Sequence, residues 1–202
     1  MWKDIKNKIF KKEPQVDYLV VGLGNPGEKY EKTAHNVGFR VASLFQEKHN
    51  LPSFEKDNTL KSFISKGLVE NKKIALLLPQ TYINLSGDAV KRAVKNLGVV
   101  LENIIVIQDD TDLPLGVVRF SFNRNSAGHN GISSIIKSLG GKNFYRLRVG
   151  VREKEGKSIT MILKNNSDKT KKVEELTVEE LFLAIKNNPQ IKTTELKQKN
   201  EE

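Results

Sequence analysis

The chain predicts a single three-layer α/β domain, a twisted mixed β-sheet flanked by helices. Three observations carry that expectation. Short runs rich in Val, Ile and Leu alternate with segments of helical period, the order that builds a sheet covered on both faces. Two of the strand-like runs, 59–69 and 73–78, are separated only by the polar turn Glu70-Asn71-Lys72. They must pair antiparallel, so the sheet is mixed. A length of 202 residues with 38% hydrophobic content suits one core of useful size.

The elements follow in order. Residues 1–15 form a basic extension in which Trp2, Ile5, Ile9 and Phe10 fall near helical spacing between lysines. It is read as a poorly ordered terminus rather than a short amphipathic helix. The domain spans 16–188. A first strand over about 17–23 runs into Gly22-Leu23-Gly24-Asn25-Pro26-Gly27, whose glycines permit positive φ and close backbone approach. Val37, Val41, Leu44 and Phe45 recur at helical spacing and mark a helix over 37–48. Pro79 ends the second strand of the hairpin. Ser86 as N-cap and Gly98 past the end bound a helix to Leu97. Asn103–Gln108 is a buried strand ending in Asp109-Asp110-Thr111-Asp112, and Val117–Phe122 alternates like another strand. After the polar loop 123–129, Asn130 is placed as the N-cap of a helix closed by Gly140-Gly141. Tyr145–Val151 is a strand and 171–186 a last helix. Residues 189–202 form a charged tail, expected to lack structure from 190 on.

Composition narrows the chemistry. Without cysteine there are no disulfides, no Cys-ligated zinc or iron–sulfur cluster and no thiol catalysis. No apolar run reaches membrane-spanning length and the first residues carry no secretory block. The expectation is a cytoplasmic protein with no membrane contact. The formal net charge of +10 fits a polyanion partner, and it also fits solubility in a lysine-rich chain.

Four segments place unusual polar groups just past a strand: Asn25 to His35, Thr81 to Asn84, Asp109 to Asp112, and Asn125 to Asn130. In an open α/β sheet such loops can converge on one rim, where ligands bind. A histidine backed by a carboxylate can act as general base, and asparagines can orient a carbonyl or stabilise an oxyanion without adding charge. Simpler readings stand beside this one. Asn25 before Pro26-Gly27 is good turn chemistry, Asn84 and Asn130 suit helix caps, and Asp109-Asp110 suits a solvated strand end. Gly22-x-Gly24-x-x-Gly27 formally matches a dinucleotide fingerprint. However, its helix is delayed to about Asn36 and no acidic strand end follows at the right distance, so the match is treated as accidental. His35, His49 and His129 are scattered, and Asp109, Asp110 and Asp112 are weak grounds for a hard cation; no metal is expected.

GLGNPGEKYEKTAHNVGF (22–39), PQTYINLSGDAV (79–90), DDTDLPLGVVRF (109–120), SAGHNGISSII (126–136) and FYRLRVGV (144–151) together resemble the bacterial-type peptidyl-tRNA hydrolases, in that family's order and approximate spacing. The resemblance implies a single α/β domain and hydrolysis of the ester joining a peptide to the 3′ ribose of tRNA. It implies no cofactor or metal and action as a monomer with tRNA as the partner. It implies His35 as general base and Asp109 as the carboxylate that keeps it basic. Asn25 would read the peptide carbonyl, and Asn84 and Asn130 would position substrate and water. Tyr30 and Tyr82 would line the cleft. Arg148, with Arg119 and Arg124 nearby, would hold the tRNA phosphates; the plainer reading of Arg146 and Arg148 is strand-face charge paired with acids.

The chain departs from the family pattern at Ala34, Ile83, Ser121 and Arg152-Glu153, and matches poorly after 152, where the family forms a lid. The competing functional reading is a non-catalytic RNA-binding protein on the same fold.

Overall fold

The computed structural model describes residues 15–152 and 168–196. The expectations for residues 1–14, for the lid region over 153–167 and for 197–202 lie outside the described residues. One eight-stranded sheet organises the rest. Its strands are β1 (Tyr18–Gly22), β2 (Glu55–Asp57), β3 (Ser62–Val69), β4 (Lys72–Pro79), β5 (Ile104–Pro114), β6 (Val117–Phe122), β7 (Tyr145–Arg152) and β8 (Thr193–Glu195), in the order β2-β3-β4-β1-β5-β7-β6-β8. β1 is parallel to β4 and β5, and β5 is parallel to β7. The other pairs are antiparallel. The mixed sheet expected from the hairpin is therefore present.

Helices α1 (Glu28–Glu31), α2 (Val37–Lys48), α3 (Ser86–Leu97), α4 (Asn130–Leu139) and α5 (Asp168–Asn187) complete the domain. α2 packs with α5, and α3 with α4. Strand side chains alternate between two cores. Val20, Ile105, Ile107 and Leu147 join Val41, Phe45 and Leu181 on one face; Leu19, Val21, Ile104 and Val106 join Val90, Ala93 and Ile135 on the other. The central strands β1 and β4 are buried on both faces, which explains their continuous apolar runs. No helix among the described residues is long and apolar enough to cross a membrane.

The close approach of β1 to α2 explains part of the glycine-rich bend. A Cβ on Gly22 would stand 2.4 Å from the Gly38 carbonyl oxygen, and one on Gly38 2.4 Å from the Leu23 nitrogen. These glycines let a helix cross a strand end. Only a four-residue helix starts at the bend, so no long helix N-terminus faces it as a dinucleotide site requires. Gly27 sits at φ 105, where a side chain would be strained.

Several boundaries differ from expectation for identifiable reasons. β3 begins at Ser62, because Asp57 Oδ1 accepts from the Leu60 N–H and holds a turn there. α3 starts at Ser86 rather than being capped by it. A 3₁₀ turn, Ile83–Leu85, runs straight into the helix, and the Ser86 hydroxyl donates back to the Ile83 carbonyl. Gly98 closes that helix in the left-handed region, as read. β5 continues through Asp109–Asp112 to Pro114, so those acids lie on a strand and not in a loop past it. His129, not Asn130, caps α4. The tail is not structureless throughout: β8 pairs with β6, and Glu180 on α5 binds both Thr194 and Lys192.

Candidate active site

Three segments meet beyond the C-terminal end of β1 and along the C-terminal half of β5. They enclose an open cavity of about 270 Å³ lined by His35, Ile83, Asp109, Asp112, His129 and Asn130 among others. Its centre is Asp109, which is 3% exposed. His35 Nδ1 lies 2.9 Å from Asp109 Oδ2, and His129 Nε2 lies 3.1 Å from Asp109 Oδ1. Burial alone would raise the Asp109 pKa. The hydrogen bonds from His129 and His35 outweigh it and hold the carboxyl well below its ordinary range. The same bond, donated to Asp109, raises the His35 pKa above its usual 6.5, against partial burial that lowers it. Nδ1–H of His35 points at the carboxylate, and its Nε2 takes no bond from any described residue. That leaves a lone pair on a half-exposed ring facing the cavity.

The loop bearing His35 is held from below. Asn36, 2% exposed, donates from Nδ2 to the Asn25 carbonyl and accepts the Asn25 N–H on Oδ1, both at 2.9 Å. Arg40 on α2 donates to the carbonyls of Glu31 and Thr33 at 2.8 Å and pairs with Glu174 on α5. Neither was singled out from sequence. Asn36 stood inside the quoted motif without a role, and nothing local marks Arg40. Asn25 Oδ1 accepts the Ile83 N–H at 2.9 Å, which joins the first loop to the second and leaves the Asn25 NH₂ as a donor. Tyr30 and Tyr82 meet edge to face with ring centroids 6.5 Å apart, bridging the same two loops.

Of the residues expected to work together, His35, Asp109 and Asn130 line the cavity, and Asn25 reaches it through Ile83. Asn84 is exposed on the 3₁₀ turn beside it and does not line it. The loop 123–129 turns back toward Asp109 through left-handed backbone at Ala127 and Gly128. His129, which sequence reasoning counted only among scattered histidines, proves central. A His immediately before the Asn130 of a helix start was the available signal.

The arginines divide. Arg148 Nε donates to Asp110 Oδ2 at 2.5 Å, so it is paired with an acid, the plainer of the two readings. Arg119 donates to the Thr193 hydroxyl of β8. Arg146 is 3% exposed and pairs with no carboxylate among the described residues. Burial and the neighbouring Arg148 push its pKa down to about 10. Two acids of β5 are committed to protein donors: Asp110 Oδ1 accepts the Asp112 N–H and Oδ2 accepts from Arg148, and both Asp109 oxygens face imidazoles. Among the described residues no group of three or more His, Asp or Glu side chains is arranged to hold a metal ion.

A family model described as peptidyl-tRNA hydrolase matches residues 19–201. A peptidyl-tRNA hydrolase of Clostridium tetani is 38% identical over 168 residues, 83% of this chain and 86% of the relative. One of Thermodesulfovibrio yellowstonii is 47% identical over 135 residues, 66% of this chain and 71% of its own length. The crystal structure of peptidyl-tRNA hydrolase from Acinetobacter baumannii superposes with a TM-score of 0.75 at 29% identity, covering 86% of this chain and 88% of that one.

Proposed function

This chain belongs to the peptidyl-tRNA hydrolase family, and we propose that it hydrolyses the ester between peptide and tRNA with His35 as the general base. The observation that carries the reading is the His35–Asp109 pair at the cavity, with the ring's second nitrogen left free. A carboxylic ester is an activated acyl group, so one positioned base and polarising donors suffice without a covalent intermediate. Water gives a proton to His35 Nε2 as its oxygen attacks the ester carbonyl. The imidazolium that forms is stabilised by Asp109 and returns the proton to the departing 3′ ribose oxygen.

The Asn25 NH₂ is the donor that reads the peptide carbonyl. An unblocked aminoacyl ester presents an ammonium there instead, donor against donor, and loses the contact. Asn130 at the cavity wall positions water and the tRNA end, and Asn84 on the adjoining turn binds substrate beside the Tyr30–Tyr82 pair. Arg148 and Arg119, paired across β7 and β6, give that face positive charge for tRNA phosphates. The protein acts as a monomer in the cytoplasm, without cofactor.

The test is release of labelled N-acetyl-aminoacyl groups from tRNA, with unblocked aminoacyl-tRNA as control. The reading requires rapid release of the blocked ester and sparing of the unblocked one. Tight tRNA binding without release would overturn it in favour of an RNA-binding protein.

A further inference from the structure

We propose that His129 is a positioning residue for the reaction, tying the Asp109 carboxylate to the first turn of α4 so that Asp109 can present only one geometry to His35. The proposal rests on His35 being the base. Both nitrogens of the His129 ring are engaged. Its Nδ1 accepts the backbone N–H groups of Gly131 and Ile132 at 3.1 and 3.3 Å. A nitrogen that accepts two N–H bonds carries no hydrogen of its own, so the ring hydrogen is on Nε2, 3.1 Å from Asp109 Oδ1. One side chain thus accepts from a helix end and donates to a carboxylate. Both of its nitrogens are committed, which leaves His129 no lone pair for water and separates its role from that of His35.

An ordinary cap does not explain the choice of residue. Asn, Asp, Ser and Thr are the preferred N-caps. A short cap satisfies the helix but does not extend to Asp109. The imidazole places an acceptor and a donor on opposite edges of a rigid ring, so the start of α4 and the plane of the carboxylate are set together. The other groups around Asp109 are committed elsewhere. Asp110 faces Arg148, and Gln108 Nε2 donates to the Asp109 backbone carbonyl at 3.1 Å. Asp112 is exposed and His35 is the remaining titratable neighbour. With His129 in place, Asp109 accepts one N–H on each oxygen; without it, Oδ1 is free and the carboxylate can turn.

The test is His129→Asn, which keeps a good cap but removes the donor to Asp109. The expected result is kcat lowered roughly ten- to a hundredfold, with KM for peptidyl-tRNA and the melting temperature near wild type. The acidic limb of the rate–pH profile should also move to higher pH, because an Asp109 relieved of one donor holds the His35 proton more tightly. Two results would overturn the proposal: an unchanged rate with an unmoved limb, or a loss of rate matched by a lowered melting temperature with an unmoved limb, which is what a cap alone gives. In the unmodified protein without substrate, ring-nitrogen NMR should show His129 with its hydrogen on Nε2. Hydrogen on Nδ1 contradicts the proposal whether or not the variant folds. Absence of hydrolysis by the wild type would instead sink the functional reading, so the two failures are distinguishable.

Discussion

In the C-terminal half of β5 a buried carboxylate is wrapped by donors; on the neighbouring β7 and β6, arginines crowd together with too few acids among the described residues. Asp109 faces two imidazoles, Asn36 fastens Asn25, and Asn25 fastens Ile83, so the groups that hold the base are themselves held. Among the ring nitrogens of His35 and His129, Nε2 of His35 alone has no partner among the described residues. On the cationic face Arg119 stands directly across from Arg148, and Arg146 across from Ser121. Among the described residues Arg148 alone of the three has a carboxylate, and the Ser121 hydroxyl is buried without a hydrogen-bond partner. Commitment of neighbours isolates a reactive atom in the first region. In the second, positive charge exceeds its acidic partners among the described residues, which is the ground for the proposed contact with tRNA phosphates.

The largest effect that would break this contrast comes from His35→Ala. It should cut single-turnover release of N-acetyl-aminoacyl groups by about 10²–10⁴-fold while leaving tRNA affinity nearly unchanged. A retained rate would place the base elsewhere. Asp109→Asn should cost roughly a hundredfold in the same assay, since an amide cannot accept from both rings or balance an imidazolium.

The cationic face is read through stability. Arg148→Ala strands the nearly buried Asp110 carboxylate, and denaturant unfolding should show a loss of about 3 kcal/mol. Arg146→Met sharpens the point. No ion pair is lost and a buried charge is removed, so stability should stay within about 1 kcal/mol of wild type or rise. Its tRNA binding should keep the wild-type salt dependence, because a buried guanidinium meets no phosphate. Equal destabilisation by the two variants would erase the distinction between a paired and a surplus arginine.

Much of this was legible in sequence where local chemistry decides the outcome. The β3–β4 hairpin follows from the polar turn after Val69, although Lys72, read as part of that turn, already pairs with Val69, leaving Glu70 and Asn71 in the left-handed region as a two-residue turn. The α2 face follows from apolar spacing, and the ends of α3 and α4 from Gly98 and Gly140. What was not legible depends on partners distant in sequence. β5 was expected to stop before Asp109 because acids rarely continue a buried strand. It continues because His35, His129 and Arg148, from three separate segments, satisfy those acids. β8 is too short and polar to announce itself and is held by β6 and by Glu180. His129 was passed over because histidine is not a usual cap, and its second bond, to Asp109, spans 20 residues. Of the five residues that the sequence suggests as a converging set, His35, Asp109 and Asn130 line one cavity, whereas Asn25 and Asn84 do not; that geometry comes from the fold.

The most direct test of the central claim, that Asp109 holds His35 as the base, is the pH dependence of single-turnover hydrolysis by wild type and Asp109→Asn. His35 must be unprotonated to accept a proton from water, so the wild-type rate should fall as pH drops through the raised His35 pKa, giving a limb above the usual 6.5. In the variant the limb should move to lower pH together with the loss of rate. A limb that stays in place when Asp109 loses its charge would contradict the account.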